Sequence, residues 1–226
     1  MNIWDEKIIA WAQVKANVPA LVDENLSFTY SELAATTDSL AAQLKRHGLK
    51  KNNRVLVVLP RTALSAVFLA TLLRNHFVGL FLDTKTSANE LFKIINTVKP
   101  HAIIAADVPA ECHASEVVDL SVRTTPFLQP RLFILRSTED VVAPENLTWL
   151  LGTSGSTGTI KAVMISAENL LARTQEEIAD FQLSPGVHLL NCLPFSHDLG
   201  LNQLRTTLFL GGTLQIKSKA VSRLGD

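Results

Sequence analysis

Apolar residues recur along this chain with two periods, and the switches between them outline its elements. Residues 4–17 carry Ile8, Ile9, Trp11, Ala12 and Val14 at helical spacing, and Pro19 ends that run. Two short strands, Ala20 to Val22 and Leu26 to Phe28, are predicted around an Asp-Glu-Asn turn. Thr29 with Glu32 has the spacing of a capping box. The helix it opens places Leu33, Thr37, Leu40 and Leu44 on one face, with Gly48 just past its end. Arg54 to Leu59 is β-branched and apolar, the pattern of a buried strand. Thr62 to Arg74 is apolar on nearly every side, which suits a helix packed inside an α/β domain. Phe77 to Leu82 predicts the next strand, Ser87 with Glu90 caps a helix through Val98, and Ala102 to Ala106 is a further strand. Strands and helices alternating at this spacing imply parallel pairing with right-handed crossovers.

The second half is less regular. Residues 107–146 hold Pro126, Pro130 and Pro144, with short strands at Glu116 to Leu120 and Arg131 to Leu135. A boundary near residue 140 is expected here, giving a first α/β lobe over 1–140 and a partial second lobe over 141–226. From Leu147 an apolar run leads into a Gly/Ser/Thr turn, and a second apolar run leads out. Ser166 is placed to cap a helix to about Gln182, with Leu170, Leu171, Ile178 and Phe181 toward a core. Val187 to Leu193 predicts a strand, Leu201 to Leu210 a helix ended by Gly211-Gly212, and Thr213 to Ile216 a last strand. The expected fold class is α/β, with mostly parallel β-sheets flanked by helices.

Composition narrows the function classes. With 21 Lys+Arg against 21 Asp+Glu the chain is neutral, without the basic excess of a nucleic-acid or membrane-surface binder. The longest uncharged apolar run, Thr62 to Leu73, is too short to span a bilayer, and acidic residues stand where a signal peptide would be basic, so a cytoplasmic protein is expected. Cys112 and Cys192 form no CxxC pair, and Cys112-His113 is poor spacing for a shared metal, so no metal ligands are assigned.

The chemistry concentrates in Thr153-Ser154-Gly155-Ser156-Thr157-Gly158, followed by Lys161. Glycines let a loop bring several backbone N–H groups onto one anion, hydroxyls add donors, and the ammonium adds a point charge. These residues suit a polyphosphate. The spacing is not that of a Walker loop, since Thr157 and not Gly stands five residues after Gly152, and it lacks the final Gly of a hydrolase elbow. Downstream, Ser196-His197-Asp198 are consecutive, so they cannot assemble a catalytic triad, which needs a base between two partners in space.

The stretch from Thr153 to Leu170 resembles the phosphate loop of the adenylate-forming superfamily: acyl-CoA synthetases, peptide-synthetase adenylation domains and firefly-type luciferases. Thr153 to Gly158, Lys161, Val163, Ser166, Asn169 and Leu170 match that motif, while Ile160, Ala162 and Ala167 stand where Pro, Gly and His are usual. Thr29, Tyr30, Glu32 and Leu33 match a T-Y-x-E-L segment of the same superfamily. Asp83 fits a further pattern in which His76 and Phe81 replace Gly and Pro; His76 is expected as a packed or surface residue. Pro194, His197 and Gly200 match a P-x-x-H-x-x-G motif.

The resemblance implies the N-terminal part of an ATP-dependent ligase that joins a carboxylic acid to AMP, then transfers the acyl group to CoA or a carrier-protein thiol. It implies ATP and Mg²⁺, with Thr153, Ser154, Gly155, Ser156, Thr157, Gly158 and Lys161 holding phosphates and His197 beside the acid or the leaving pyrophosphate. It places the adenine site, the Mg-binding Glu and the catalytic C-terminal Lys beyond Asp226. Surfaces that would face those segments predict self-association. The alternative is a non-catalytic nucleotide- or partner-binding module that kept the fold.

Overall fold

The computed structural model describes residues 2–126, 128–135, 144–154 and 160–217. In chain order its regular elements are α1 (Ile3–Val14), β1 (Pro19–Val22), β2 (Ser27–Thr29), α2 (Tyr30–Arg46), β3 (Arg54–Val58), α3 (Ala63–Arg74), β4 (Val78–Leu82), α4 (Ala88–Val98) and β5 (Ala102–Ala105). They continue as β6 (Ala114–Asp119), β7 (Arg131–Leu135), β8 (Leu147–Ser154), β9 (Ile160–Ser166), α5 (Ala167–Asp180), β10 (His188–Asn191), α6 (Asp198–Leu210) and β11 (Thr213–Ile216). The seven-stranded sheet runs β6-β7-β5-β3-β4-β8-β9 and the four-stranded sheet β10-β11-β1-β2. Strands β5, β3, β4 and β8 pair in parallel, as do β10, β11 and β1; hairpins and antiparallel strands close the edges. The α/β reading with parallel sheet strands flanked by helices therefore holds. The expected boundary near residue 140 lies outside the described residues, and both sheets take strands from either side of it.

Local chemistry starts the helices where the sequence marks them. The Thr29 hydroxyl accepts from the Glu32 N–H while the Glu32 carboxylate accepts from the Thr29 N–H at 2.8 Å, and Ser87 with Glu90 repeats the arrangement. Gly48 takes φ +87° just past α2. All twelve residues of α3 are buried, because it packs against α1 and α2 as well as β1, β3 and β4.

The period of two in β3 divides the core. Val55 and Val57 join the large cluster with α1, α2, α3 and α6, whereas Leu56 joins a second cluster under Leu91, Ile94 and Val98 of α4. Among the described residues no helix is long and apolar enough to cross a membrane.

Two elements depart from expectation. Phe181 does not face the core; it is 71% exposed. It is the residue at which α5 ends, so the packed stripe of that helix is Leu170 and Thr174, four residues apart. Thr174 fits there because its hydroxyl donates to the Leu170 carbonyl at 2.8 Å, leaving its methyl group to pack. Helix α6 begins three residues before Leu201, with His197 as its N-cap residue.

Candidate functional site

Strands β8 and β9 form an antiparallel hairpin on one edge of the seven-stranded sheet. Its register sets Ser154 opposite Ile160 and Thr153 opposite Lys161. Residues 155–159, and with them Gly155, Ser156, Thr157 and Gly158, lie outside the described residues, as do the side chains of Thr153, Ser154 and Ile160. The hairpin brings position 153 and Lys161 together at the strand ends that flank this segment, and Lys161 is exposed there.

The rest of the motif is architecture. The Ser166 hydroxyl accepts the Asn169 N–H at 3.2 Å and donates to the Asn169 side-chain oxygen at 2.9 Å, which starts α5. Leu170 is buried and anchors that helix. These contacts start α5 directly after β9.

Pro194 to Gly200 builds the second part. The His197 N–H donates to the Pro194 carbonyl at 3.1 Å, closing a turn, and α6 starts at the next residue. The imidazole of His197 is exposed and does not cap its own helix. A Cβ at Gly200 would lie 2.3 Å from the Pro194 oxygen, so the spacing from Pro194 to Gly200 is a packing requirement. Phe195 is buried and meets Phe81 edge to face at 5.7 Å between centroids, which ties this turn to β4. His76 is a surface turn residue with φ +57°, a conformation in which Gly is more at ease, and its carbonyl accepts the Asn52 N–H at 2.8 Å.

Hairpin and helix meet at a cleft of about 380 Å³. Leu151 and Ile165 line it from β8 and β9, Asn169 and Arg173 from α5, and Asp198 and Arg205 from α6. Its size lies within the range of roughly 300–1,000 Å³ common for small-molecule sites. Arg205 is fully buried; its Nη2 donates to Asn202 Oδ1 at 2.8 Å and to Asp198 Oδ1 at 3.3 Å. Arg205 Nε and Nη1 and Asn202 Nδ2 find no acceptor among the described residues. Each such buried donor costs about 1–3 kcal/mol. Burial pushes the pKa of the guanidinium down from its ordinary value, and the Asp198 carboxylate opposes that shift.

Sequence reasoning missed Asp198, Asn202 and Arg205 as a group. The signal was present: three polar residues at i, i+4 and i+7 in a helix whose Leu201, Leu204 and Leu208 are all buried.

A larger cleft of about 570 Å³ is lined by Phe92, Lys99, Cys112 and His113, on the far side of α4. Burial, followed by the nearby Glu111 charge, pushes the Cys112 thiol up. Among the described residues, no group of three or more His, Cys, Asp or Glu side chains converges as a metal site.

Comparison with known proteins bears on the family and the fold. The family described as AMP-binding enzyme matches residues 9–224. The D-alanine–D-alanyl carrier protein ligase of Lactiplantibacillus plantarum is 31% identical over 216 residues, covering 94% of this chain and 42% of that protein. The ligase of the same description from Bacillus licheniformis is 30% identical over 220 residues, covering 95% of this chain and 42% of its own length. The chain thus spans about two-fifths of these relatives. In structure it is similar to VinN, at TM-score 0.76 and 20% identity over 96% of this chain and 59% of that one. It is equally similar to the O-succinylbenzoate coenzyme A synthetase of Bacillus subtilis in complex with ATP and magnesium, at TM-score 0.76 and 18% identity over 94% and 57% of the two chains. At those identities the likeness speaks for the fold.

Proposed function

Because this chain belongs to the AMP-binding enzyme family, we propose that it supplies the phosphate-holding and acid-facing portion of a ligase that activates a carboxylic acid with ATP. The observation that carries this reading is the meeting of the β8–β9 hairpin with the N-terminus of α6 at one cleft. The acid lies in that cleft, beside Asp198 and Arg205. The β- and γ-phosphates lie at the hairpin end, held by the hydroxyls and backbone of residues 153–158 and by Lys161. One carboxylate oxygen attacks the α-phosphorus, the bond from that phosphorus to the β-bridging oxygen breaks, and pyrophosphate leaves. Catalysis of this step is positioning plus stabilisation of the charge that develops on the phosphate oxygens.

Lys161 and the loop donors neutralise the leaving pyrophosphate. His197, exposed at the start of α6, orients the acid or that leaving group. The donor set fits phosphate: hydroxyls, glycine backbone and one ammonium. ATP would be held by residues 153–158 and Lys161, and the magnesium ion that accompanies it would supply positive charge to offset the phosphate oxygens. The acyl group then passes to a thiol of CoA or of a carrier protein. The relatives in the D-alanyl carrier protein ligase group support a carrier protein for this second step.

The test is acid-dependent exchange of labelled pyrophosphate into ATP by the protein as its gene encodes it. Exchange that requires an added acid supports the reading. ATP turnover without any acid requirement, or no exchange with any acid, overturns it in favour of a nucleotide- or partner-binding module.

A further inference from the structure

The turn that carries His197 is anchored from outside its own sheet. Cys192 and Lys217 directly follow Asn191 and Ile216, which pair at the carboxyl ends of β10 and β11. Arg61 donates from Nη1 to the Cys192 carbonyl at 2.6 Å and from Nε to the Lys217 carbonyl at 2.7 Å. One planar guanidinium thus holds the ends of two neighbouring strands through charge-assisted bonds. Arg61 itself belongs to the larger sheet's side. It stands between β3 and Thr62, whose hydroxyl accepts the Ser65 N–H at 3.2 Å and caps α3.

From Cys192 to the first turn of α6 there is little slack. The Asn191 side-chain amide donates to the Gly200 carbonyl at 3.2 Å. The His197 N–H donates to the Pro194 carbonyl at 3.1 Å, and the Gly200 Cα packs too close to that carbonyl to admit a side chain. A shift of the Cys192 carbonyl is therefore passed to His197. The phosphate hairpin stands on the other sheet, through the pairing of β8 with β4. Arg61 thus links the sheet that bears Lys161 to the strand ends that lead to His197. A second tie, the ring of Phe81 against that of Phe195, carries no hydrogen bond.

We propose that Arg61 is a positioning residue for the ligase reaction, setting where the His197 imidazole stands relative to the phosphate hairpin. It acts through the Cys192–His197 turn and takes no part in bond making. The inference rests on the acid-activating reading above.

The test is a double-mutant cycle between Arg61 and His197 in the protein as its gene encodes it. It is read by acid-dependent pyrophosphate exchange at saturating substrates and by binding of a non-hydrolysable ATP analogue. Arg61→Met should slow exchange by roughly 10–100-fold, the cost of a misplaced group, and leave affinity for the analogue unchanged. Arg61→Lys, which keeps a donor, should lose measurably less. In a His197→Ala background Arg61→Met should cost nothing further, because the group it places is gone. Losses that multiply, exchange by Arg61→Met at the wild-type rate, or a loss carried by analogue affinity alone overturns the proposal. Should Arg61→Met fail to fold, the same cycle with Arg61→Lys decides by the same outcomes. The His197 imidazole resonances, assigned by their loss in His197→Ala, should shift or broaden in the Arg61 variant whatever its turnover; unchanged resonances overturn the proposal. Absent exchange in the wild type beside shifted resonances would instead overturn the acid-activating reading.

Discussion

Gly79 in β4 lies opposite Trp149 in β8, and a Cβ on Gly79 would stand 2.2 Å from the Trp149 ring. The indole is fully buried and fills the space that the glycine leaves. This pairing joins the hairpin that carries Thr153 and Lys161 to the body of the sheet.

Gly79→Ala therefore forces either the indole or the strand to move. Overpacking of this kind costs about 1–3 kcal/mol. Urea unfolding should show that loss, while Gly152→Ala, whose added Cβ would meet nothing within 4 Å, should change stability by less than about 0.5 kcal/mol.

The capping box of α2 makes stability depend on pH. The hydrogen bond from the Thr29 backbone N–H, with Arg123 adding a smaller effect, holds the Glu32 carboxyl below its ordinary range. A carboxyl lowered in the folded state adds stability above its unfolded value, and that stability is lost as pH falls through the folded value. The difference in urea midpoint between the wild type and Glu32→Ala should thus be present at neutral pH and shrink on acidification below the normal glutamate range. A constant difference across that window would refute the assignment.

Lys161 and His197 should separate function from folding. Both are exposed, and the His197 side chain does not cap α6. Surface changes of this kind shift stability by about 0.5 kcal/mol or less. Lys161→Ala should weaken ATP binding by roughly 10–100-fold, the range of a charge-assisted hydrogen bond. His197→Ala should slow pyrophosphate exchange by roughly 100-fold through lost positioning. Thermal melts unchanged beside those losses support the roles; unchanged exchange in both variants removes them.

Exposed apolar side chains line two sheet edges: Val163 and Met164 on β9, with Leu190 on β10. Unpaired edges with apolar side chains favour association. The 226-residue chain should show concentration-dependent association by light scattering, reduced in Met164→Lys and Leu190→Lys. A monodisperse monomer at high concentration would contradict this.

Much of this architecture was legible in the sequence because it is local. Thr29 with Glu32 and Ser87 with Glu90 mark helix starts by chemistry acting over three residues, and Gly48 marks an end by its backbone freedom. The unbroken apolar run from Val55 to Val58 marks a strand packed on both faces. Phe181 shows where such reading stops: its spacing fits the α5 stripe, yet it stands where the helix ends and is left in solvent. The Arg205 cluster was missed for another reason. Its polar residues are spaced on one face of α6, but only the meeting of α5, α6 and the hairpin makes that face the wall of a cleft. Of the departures from the family pattern, Phe81 has a structural reason, a ring for Phe195, whereas His76 takes a positive φ that favours the Gly of the pattern.

The central claim is that a carboxylate attacks the α-phosphorus of ATP. It is tested most directly by turnover of the protein as its gene encodes it with ¹⁸O-carboxylate acid, followed by mass analysis of the products. The account predicts one labelled oxygen in AMP and none in inorganic phosphate, because the attacking oxygen stays on the α-phosphorus when the acyl group is transferred. Label in inorganic phosphate with release of ADP would place attack at the γ-phosphorus and contradict it.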